Sequence, residues 1–448
     1  MDRPSQTEPA QVAEVPKAVG ANRAGATKLS LGSSAVWTER MLAALERGIT
    51  GGKWHSLIDK VWEVSHLQLA AWAVIRRDGC AGVDGVSCQA LEQNLGEVTQ
   101  MLHRQLKEER YQPLPVKRVW INKEGSNEKR PLGIPAVRDR VVQTALLYVL
   151  EPIFERDFSP NSYGFRPKRS ARQAVERVER LLSEGRVWVV DADVQGYFDN
   201  IPKERLLDLV ARKVADGRVL RLLRAYLEQG VMGSDQQWQP TKGGTPQGAV
   251  ISPLLANIYL DPLDHEMAGK GWEMTRYADD FIVQCSSQKE AEQALEELQA
   301  WMSEAGLTLH PEKTRIVDAS QRGGFDFLGW HFERGHRWPR EKSQRKLRET
   351  VRKQTGRNDG RAMKEIIHAL NRRLRGWGRY FQGGVSNTSV KLDRWVRMRL
   401  RSIQRRRDGR KGRGHGQDHN RYPNIYWAEL GLISLKALAQ AKPANPAT

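Results

Sequence analysis

The stretch MTRYADDFIVQC, residues 274–285, sets two adjacent carboxylates, Asp279 and Asp280, between two strand-like runs. Asp is common in hairpin turns because its side chain bonds the local backbone and tolerates unusual dihedrals. A solvated turn is therefore the bland reading. Yet two clustered carboxylates repel each other unless a cation lies between them. Mg²⁺ is a hard ion that takes oxygen ligands and keeps coordination sites for phosphate oxygens. That reading needs a further carboxylate from elsewhere and a partner rich in phosphate. VWVVDADVQGYFDNI, residues 187–201, supplies the carboxylate. Its apolar, β-branched start reads as a buried strand. It ends in Asp191 and Asp193, two residues apart and so on one face. With Asp193 beside the hairpin tip, three carboxylates would hold two Mg²⁺ ions about 4 Å apart. One ion would activate a primer 3′-hydroxyl and the other would stabilise leaving pyrophosphate.

The charge distribution supplies the phosphate-rich partner. The chain of 448 residues has a formal net charge of +19, from 72 Lys and Arg against 53 Asp and Glu. Between Arg334 and Arg413 there are 27 Lys or Arg and 6 Asp or Glu, a net of +21, so the remainder is 19 − 21 = −2. A solvated helix face does not explain why one fifth of the chain holds the whole excess. A phosphate backbone does, since each neutralised phosphate releases a counterion. Trp338, Trp377, Tyr380, Phe381 and Trp395 lie among these cations, as core residues or as platforms for unpaired bases.

Other classes are disfavoured. Cys80, Cys88 and Cys285 fit no zinc spacing and are an odd number for a disulfide framework, which points to a reducing compartment. No apolar run is long enough to span a membrane. Asp2, Glu8 and Glu14 argue against a transit peptide, and the start lacks the apolar core of a signal peptide. A soluble intracellular protein with no membrane partner is expected.

Along the chain, residues 1–36 read as a disordered arm. VKRVWINKEGSNEKRPLGIP reads as two strands around a Gly/Asn loop. Ser170 and Gln173 have capping-box spacing ahead of a helix that Gly185 stops, and Ser287 and Glu290 open another that Gly306 ends. Strand, helix, hairpin, helix, strand suggests a mixed sheet with helices on one face. The class is α+β, and after residue 340 the pattern turns helical and basic.

The motifs RPLGIPAVRDRVVQ, FSPNSYGFRP, DADVQGYFDNI, GTPQGAVISPLLANIYL, RYADDF, LTLHPEKTRI, FDFLGW and LNRRLRGWGRYF occur in one order over residues 50–435. In this the chain resembles bacterial group II intron-encoded reverse transcriptases/maturases. The resemblance implies fingers, palm and thumb, with an RNA-binding thumb/maturase region. It chooses Asp193 over Asp191 as the metal ligand beside Asp279 and Asp280, because Asp193 begins the pattern D-x-x-x-x-F. It places Phe198 beneath the incoming sugar, where the ring would exclude a 2′-hydroxyl. Lys123 and Arg130 match finger residues that grip the triphosphate, and Gln247 and Gly248 match the loop next to the nucleotide. Lys313 matches a basic residue after HP. Phe327, Leu328 and Gly329 match the primer grip. Arg372, Arg373, Arg375 and Trp377 lie in the matched maturase motif. The family often has Lys where this chain has Gln195, and Pro where it has Asn122.

The expected organisation is an arm over 1–36, an N-terminal extension and fingers over 37–180, a palm over 181–335, a thumb/maturase region over 336–400 and a basic DNA-binding tail over 401–448. That tail contains Arg405, Arg406, Arg407, Arg410 and Lys411, opposed within residues 401–415 only by Asp408. Its glycines make a poor helix, so a flexible loop binding phosphates without sequence preference is expected. No cysteines follow Cys285, so the H-N-H endonuclease of many family members is not expected. The partners implied are intron RNA, an RNA template, a DNA primer or target and deoxynucleoside triphosphates, in a bacterial, nucleoid-associated, cytoplasmic setting. Two other readings compete: a maturase acting mainly as an RNA chaperone, and a free-standing reverse transcriptase in antiphage defence or DNA repair. The intact carboxylates disfavour the first, and the maturase-like region leans against the second.

Overall fold

A computed structural model describes residues 31–49, 52–122, 129–233, 237–240, 243–245, 247–414 and 416–441. The chain divides into two compact units. The first comprises Met1–Val119, Pro131–Phe158 and Lys203–Ile258, and the second Trp120–Arg130, Ser159–Pro202 and Tyr259–Thr448. The described strands are β1 Val116–Asn122, β2 Lys129–Ile134, β3 Trp188–Asp193, β4 Val231–Met232, β5 Trp238–Gln239, β6 Glu273–Tyr277, β7 Asp280–Cys285, β8 Arg315–Asp318, β9 Phe325–Phe327, β10 Trp330–Glu333 and β11 His336–Pro339. The class is α+β, as expected.

The first unit is built around the helix Val137–Glu155, which is buried on most of its circumference. Its Asp139 is fully buried and is satisfied by the Tyr111 hydroxyl at 2.7 Å and the Leu114 amide at 2.9 Å. Desolvation nevertheless raises its carboxyl above the usual range. The helix Leu31–Val36 packs on Val137–Glu155, with Val36 and Trp37 buried and the Trp37 indole donating to the Tyr148 carbonyl at 3.1 Å. Residues 31–36 are therefore helical, not part of an unstructured arm. The two strands read around the Gly/Asn loop are β1 and β2, in a sheet of order β2-β1-β4-β5.

The second unit carries the sheet β6-β7-β3-β8. Every pairing in it is antiparallel, so the expected mixed sheet is corrected. The β6–β7 hairpin accounts for one of these pairings: a tight two-residue loop can join only antiparallel neighbours. Against one face pack the helix Ala171–Ser183 and the small sheet β11-β10-β9, through Val175, Val178, Val189, Ile282, Phe325 and Phe327. The capping box of Ser170 and Gln173 is present, and Gly185 follows that helix at φ +90°. At Ser287 the hydroxyl accepts from the Glu290 amide, while the Glu290 carboxylate reaches the Ser286 amide instead of closing a box.

The C-terminal part is a helical bundle. Helices Glu341–Gln354, Met363–Tyr380 and Ser386–Arg407 present Leu347, Ile366, Leu370, Leu392, Val396, Leu400 and Ile403 to one core. Trp427 and Leu435, from the short helices Asn424–Glu429 and Leu435–Gln440, complete it. Burying an apolar side chain of this size stabilises by about 1.5–3 kcal/mol. Asp393 caps the last helix, accepting from the amides of Leu435 and Lys436 and from the Ser434 hydroxyl. The boundary expected at residue 400 thus falls inside a continuous helix, and Ile403, Trp427 and Leu435 beyond it belong to the bundle core instead of to a separate tail.

Candidate active site and nucleic-acid interface

β3 delivers Asp193 as its last residue, and the register sets it directly across from Asp280, the first residue of β7. Tyr277 pairs with Asp280, leaving Ala278 and Asp279 as a two-residue hairpin loop. Ala278 has φ +60° whereas Asp279 does not enter the positive-φ region. Positive φ at the first loop position alone is the type II′ pattern, which matches the twist of the flanking strands. Glycine is usual there, so the alanine stores roughly 1–3 kcal/mol of strain.

The three proposed ligands differ in surroundings. Asp193 is half-buried, and its Oδ2 accepts from Lys313 Nζ at 2.8 Å. Burial raises the Asp279 carboxyl; its own backbone amide opposes that rise, and the Asp193 charge adds to it. Burial pushes Asp280 up to about 7, with Asp191 and then Asp279 adding to the shift and Arg340 opposing it. Asp280 is nonetheless exposed, so it is not sealed in the core. Asp191 is raised too, first by burial, while Arg315 at 3.3 Å works the other way. Asp191 therefore weighs electrostatically on the cluster, which its reading as a neighbour on the same face understated. Among the described residues no three acidic, imidazole or thiol side chains converge on one point as they stand. Lys313 supplies the positive charge at Asp193 in this arrangement.

Two elements behind the carboxylates were not assigned roles by sequence reasoning. Arg276 is fully buried and ion-paired with buried Asp264, its Nε donating to Oδ1 at 2.8 Å and Oδ2 at 3.0 Å. Its Nη1 donates to the Ala278 carbonyl at 2.9 Å. Breaking such a pair by removing one partner costs about 3–5 kcal/mol. Gly164 lies against the hairpin loop: an added Cβ would collide with the Ala278 nitrogen and come within 2.8 Å of the Tyr277 carbonyl carbon. The only sequence signal for either was membership of the RYADDF and NSYGFRP motifs.

Phe198 is half-exposed on the short helix Tyr197–Asn200, next to Tyr197, which takes the buried place. Gln247 and Gly248 lie in the first unit, where the Gln247 carbonyl accepts from the Gly133 amide at 2.7 Å. Gly248 has φ +111° and no room for a Cβ against Leu132 and Gly133. Arg130 is exposed at the start of β2, and Lys123 lies outside the described residues. Leu328 and Gly329 form the two-residue β9–β10 loop, both at positive φ. Their carbonyls are held in place, Leu328 by the Tyr380 hydroxyl at 2.6 Å and Gly329 by the Arg340 amide and the Ser343 hydroxyl, each at 3.0 Å.

On the bundle, Arg372, Arg373 and Arg375 are exposed on the helix Met363–Tyr380. Trp377 is instead packed against two apolar clusters of the second unit, with its ring 4.6 Å from that of Phe381. Its indole is a wedge between the palm sheet and the bundle, not an open stacking platform. The basic residues beyond 400 also divide. Arg405 bonds Asp418 Oδ2 at 2.9 Å and the Lys411 carbonyl at 2.6 Å, Arg407 bonds the Asp359 carbonyl at 3.2 Å, and Arg410 pairs with Asp408 at 2.8 Å and Asp418 at 3.0 Å. The fully buried Asp418, three residues past the stretch read as opposed only by Asp408, is what the sequence reading missed. Arg406, Arg410 and Lys411 line a cleft of ≈ 700 Å³ with Lys353, Arg357 and Asn358.

No helix among the described residues is long and apolar enough to cross a membrane. Residues 121–332 match the family model for reverse transcriptase (RNA-dependent DNA polymerase), and residues 344–422 match that for the group II intron maturase-specific domain. Protein YkfC of Escherichia coli (strain K12) is 37% identical over 304 residues, covering 59% of this chain and 77% of YkfC. The group II intron-encoded protein LtrA of Lactococcus lactis subsp. cremoris is 42% identical over 159 residues, covering 36% of this chain and 26% of LtrA. A partial Cas6-RT-Cas1--Cas2 complex is similar at 25% identity over 56% of this chain and 43% of that one, with a TM-score of 0.35. Metal-dependent nucleotidyl transfer belongs to the first matched domain, and intron RNA binding to the second. The chain belongs to the reverse transcriptase family and, carrying the maturase-specific domain, is an RNA-directed DNA polymerase of the group II intron reverse transcriptase/maturase kind.

Proposed function

We propose that Asp193, Asp279 and Asp280 are the catalytic carboxylates and that they hold Mg²⁺. The observation that carries this reading is the β3–β7 register, which pairs Asp193 with Asp280 and hangs Asp279 on the adjoining loop. An all-carboxylate donor set suits a hard cation. The raised Asp279 and Asp280 carboxyls mark a place where positive charge is wanted. Bound there, Mg²⁺ would supply Lewis-acid stabilisation of the phosphoryl oxygens. The protein's own part is placement. Lys313 holds Asp193 in the metal-free state, and its ammonium remains nearby for phosphate once the carboxylate is engaged. Phe198, a half-exposed ring, excludes a 2′-hydroxyl in this reading and so favours deoxynucleoside triphosphates. Arg130 and Lys123 grip the triphosphate. The end of β9 and the β9–β10 loop, Phe327 to Gly329, support the primer end, and the fixed carbonyls of Leu328 and Gly329 suit a rigid grip.

The basic bundle holds intron RNA through phosphate contacts from Arg372, Arg373 and Arg375. The cleft at Arg406, Arg410 and Lys411 adds a further phosphate-binding surface for RNA or target DNA. In the test, Asp193→Ala and Asp279→Ala abolish cDNA synthesis on an RNA template, while affinity for structured RNA stays within about twofold of the parent. Substantial Mg²⁺-dependent extension by either variant overturns the assignment.

A further inference from the structure

We infer that Arg276, with Asp264 and Gly164, is a positioning device that sets the orientation of the Asp279 carboxylate. The inference rests on the reading of Asp279 as a metal ligand.

A two-residue loop with an alanine at φ +60° is not held by its own preference. It is held by what surrounds it. The Ala278 carbonyl and the Asp279 amide share one peptide plane. The Arg276 Nη1 bond to Ala278 O, at 2.9 Å, therefore fixes the plane from which Asp279 departs. The guanidinium cannot swing, because Asp264 takes its Nε and Nη2 through both carboxylate oxygens. Both partners are buried, and Asp264 is carried on the helix Ser252–Gly269. A second restraint acts on the backbone from the other side. Residues 161–163 run beside β6: the Arg276 amide donates to the Asn161 carbonyl at 3.0 Å, and the Tyr163 amide donates to the Arg276 carbonyl at 2.8 Å. Arg166 closes this segment by donating to the Ser159 and Ser162 carbonyls at 2.6 and 2.8 Å. The chain then passes Gly164 directly under the loop, where any Cβ would push on Ala278. The side chain thus holds the Ala278–Asp279 peptide, and Gly164 holds the Tyr277–Ala278 peptide just before it. Lysine in place of Arg276 keeps the charge for Asp264 but has no fork to serve Ala278 as well.

The experiment compares Arg276→Lys, Gly164→Ala and Asp279→Ala with the parent in single-nucleotide addition on a primer–template. Mn²⁺ affinity is measured separately by electron paramagnetic resonance, without turnover, and thermal unfolding is recorded. Misplacing a reacting group by about 1 Å costs on the order of 10²-fold. We expect kcat to fall about 10–100-fold in Arg276→Lys and Gly164→Ala, with KM for the nucleotide and primer–template affinity within about twofold and Mn²⁺ binding weakened. Full kcat and full Mn²⁺ affinity in a folded Arg276→Lys or Gly164→Ala protein, with Asp279→Ala inactive, overturns the positioning role alone. An active Asp279→Ala overturns instead the ligand reading beneath it. A fall in kcat matched by equal losses in primer affinity reduces Arg276 to a structural residue and also counts against the inference. Should Arg276→Lys fail to fold, Gly164→Ala decides.

Discussion

The palm sheet and the C-terminal bundle build function in opposite ways. In the palm, four carboxylates lie on β3, on β7 and in the β6–β7 loop, and each has a counterweight: Lys313 for Asp193, Arg315 for Asp191, Arg276 for Asp279 and Arg340 for Asp280. Function there is a matter of ångströms, and strain at Ala278 is part of the construction. In the bundle, ordinary helices with an apolar stripe carry a surplus of cations, and the proposed contacts need no single geometry. The difference teaches that one substitution can silence the palm, whereas the bundle loses function only in proportion to the phosphates released. It also separates two kinds of arginine. Arg372, Arg373 and Arg375 are exposed, while Arg405 and Arg410 pair with buried Asp418, whose charge their removal would leave less compensated.

The sharpest way to break this contrast lies in the palm. Phe198→Ala removes the ring proposed to exclude a 2′-hydroxyl. Ribonucleotide use on one RNA template should rise by ~10–100-fold relative to deoxynucleotide use, the scale of a steric pocket contact. Competitive incorporation measures it, and an unchanged preference would return Phe198 to the role of a packing residue beside Tyr197.

A smaller effect concerns pH. Asp280 is pushed up to about 7 without metal. Below that value a proton competes with the cation for the carboxylate. The Mg²⁺ concentration needed for half-maximal extension should therefore fall several-fold as pH rises from about 6 to about 8. The sign for stability is the reverse. A carboxyl whose folded value is raised binds its proton more tightly in the folded state, so metal-free stability from this group declines between the ordinary carboxylate range and about 7. A metal requirement that is flat with pH would show that Asp280 is not among the ligands.

How much of this was legible beforehand follows the same contrast. Short apolar runs and cap residues revealed β3, the β6–β7 hairpin and the helix after Ser170, because those signals are local. Asp193, Asp279 and Asp280 stood out because adjacent like charges between apolar runs need a reason. Arg276 and Gly164 did not stand out. A buried arginine looks like any other in sequence, and a glycine reveals its close approach only when the neighbouring backbone is present. The antiparallel pairing was missed because strand order leaves direction open. In the bundle, composition revealed the charge surplus, but Arg407, through the Asp359 carbonyl, and Trp427, in the apolar core, tie residues beyond 400 to segments far back in the chain, and no local pattern announces that. The same holds for Trp377, whose place among cations suggested base stacking although its ring packs against two cores.

The central claim is that chemistry and RNA affinity are separable between these two regions. It is tested most directly by measuring intron RNA affinity against salt and primer extension at saturating template, side by side, in Asp279→Ala and in the triple variant Arg372→Ser, Arg373→Ser, Arg375→Ser. If all three arginines contact phosphates, the log–log salt slope should flatten by about 2–3 units, at roughly 0.7–0.9 per contact. That variant should keep extension close to the parent's rate, while Asp279→Ala should keep the parent's slope and lose extension. A triple variant with an unaltered slope, or an Asp279→Ala protein that loses RNA affinity together with extension, would contradict the account.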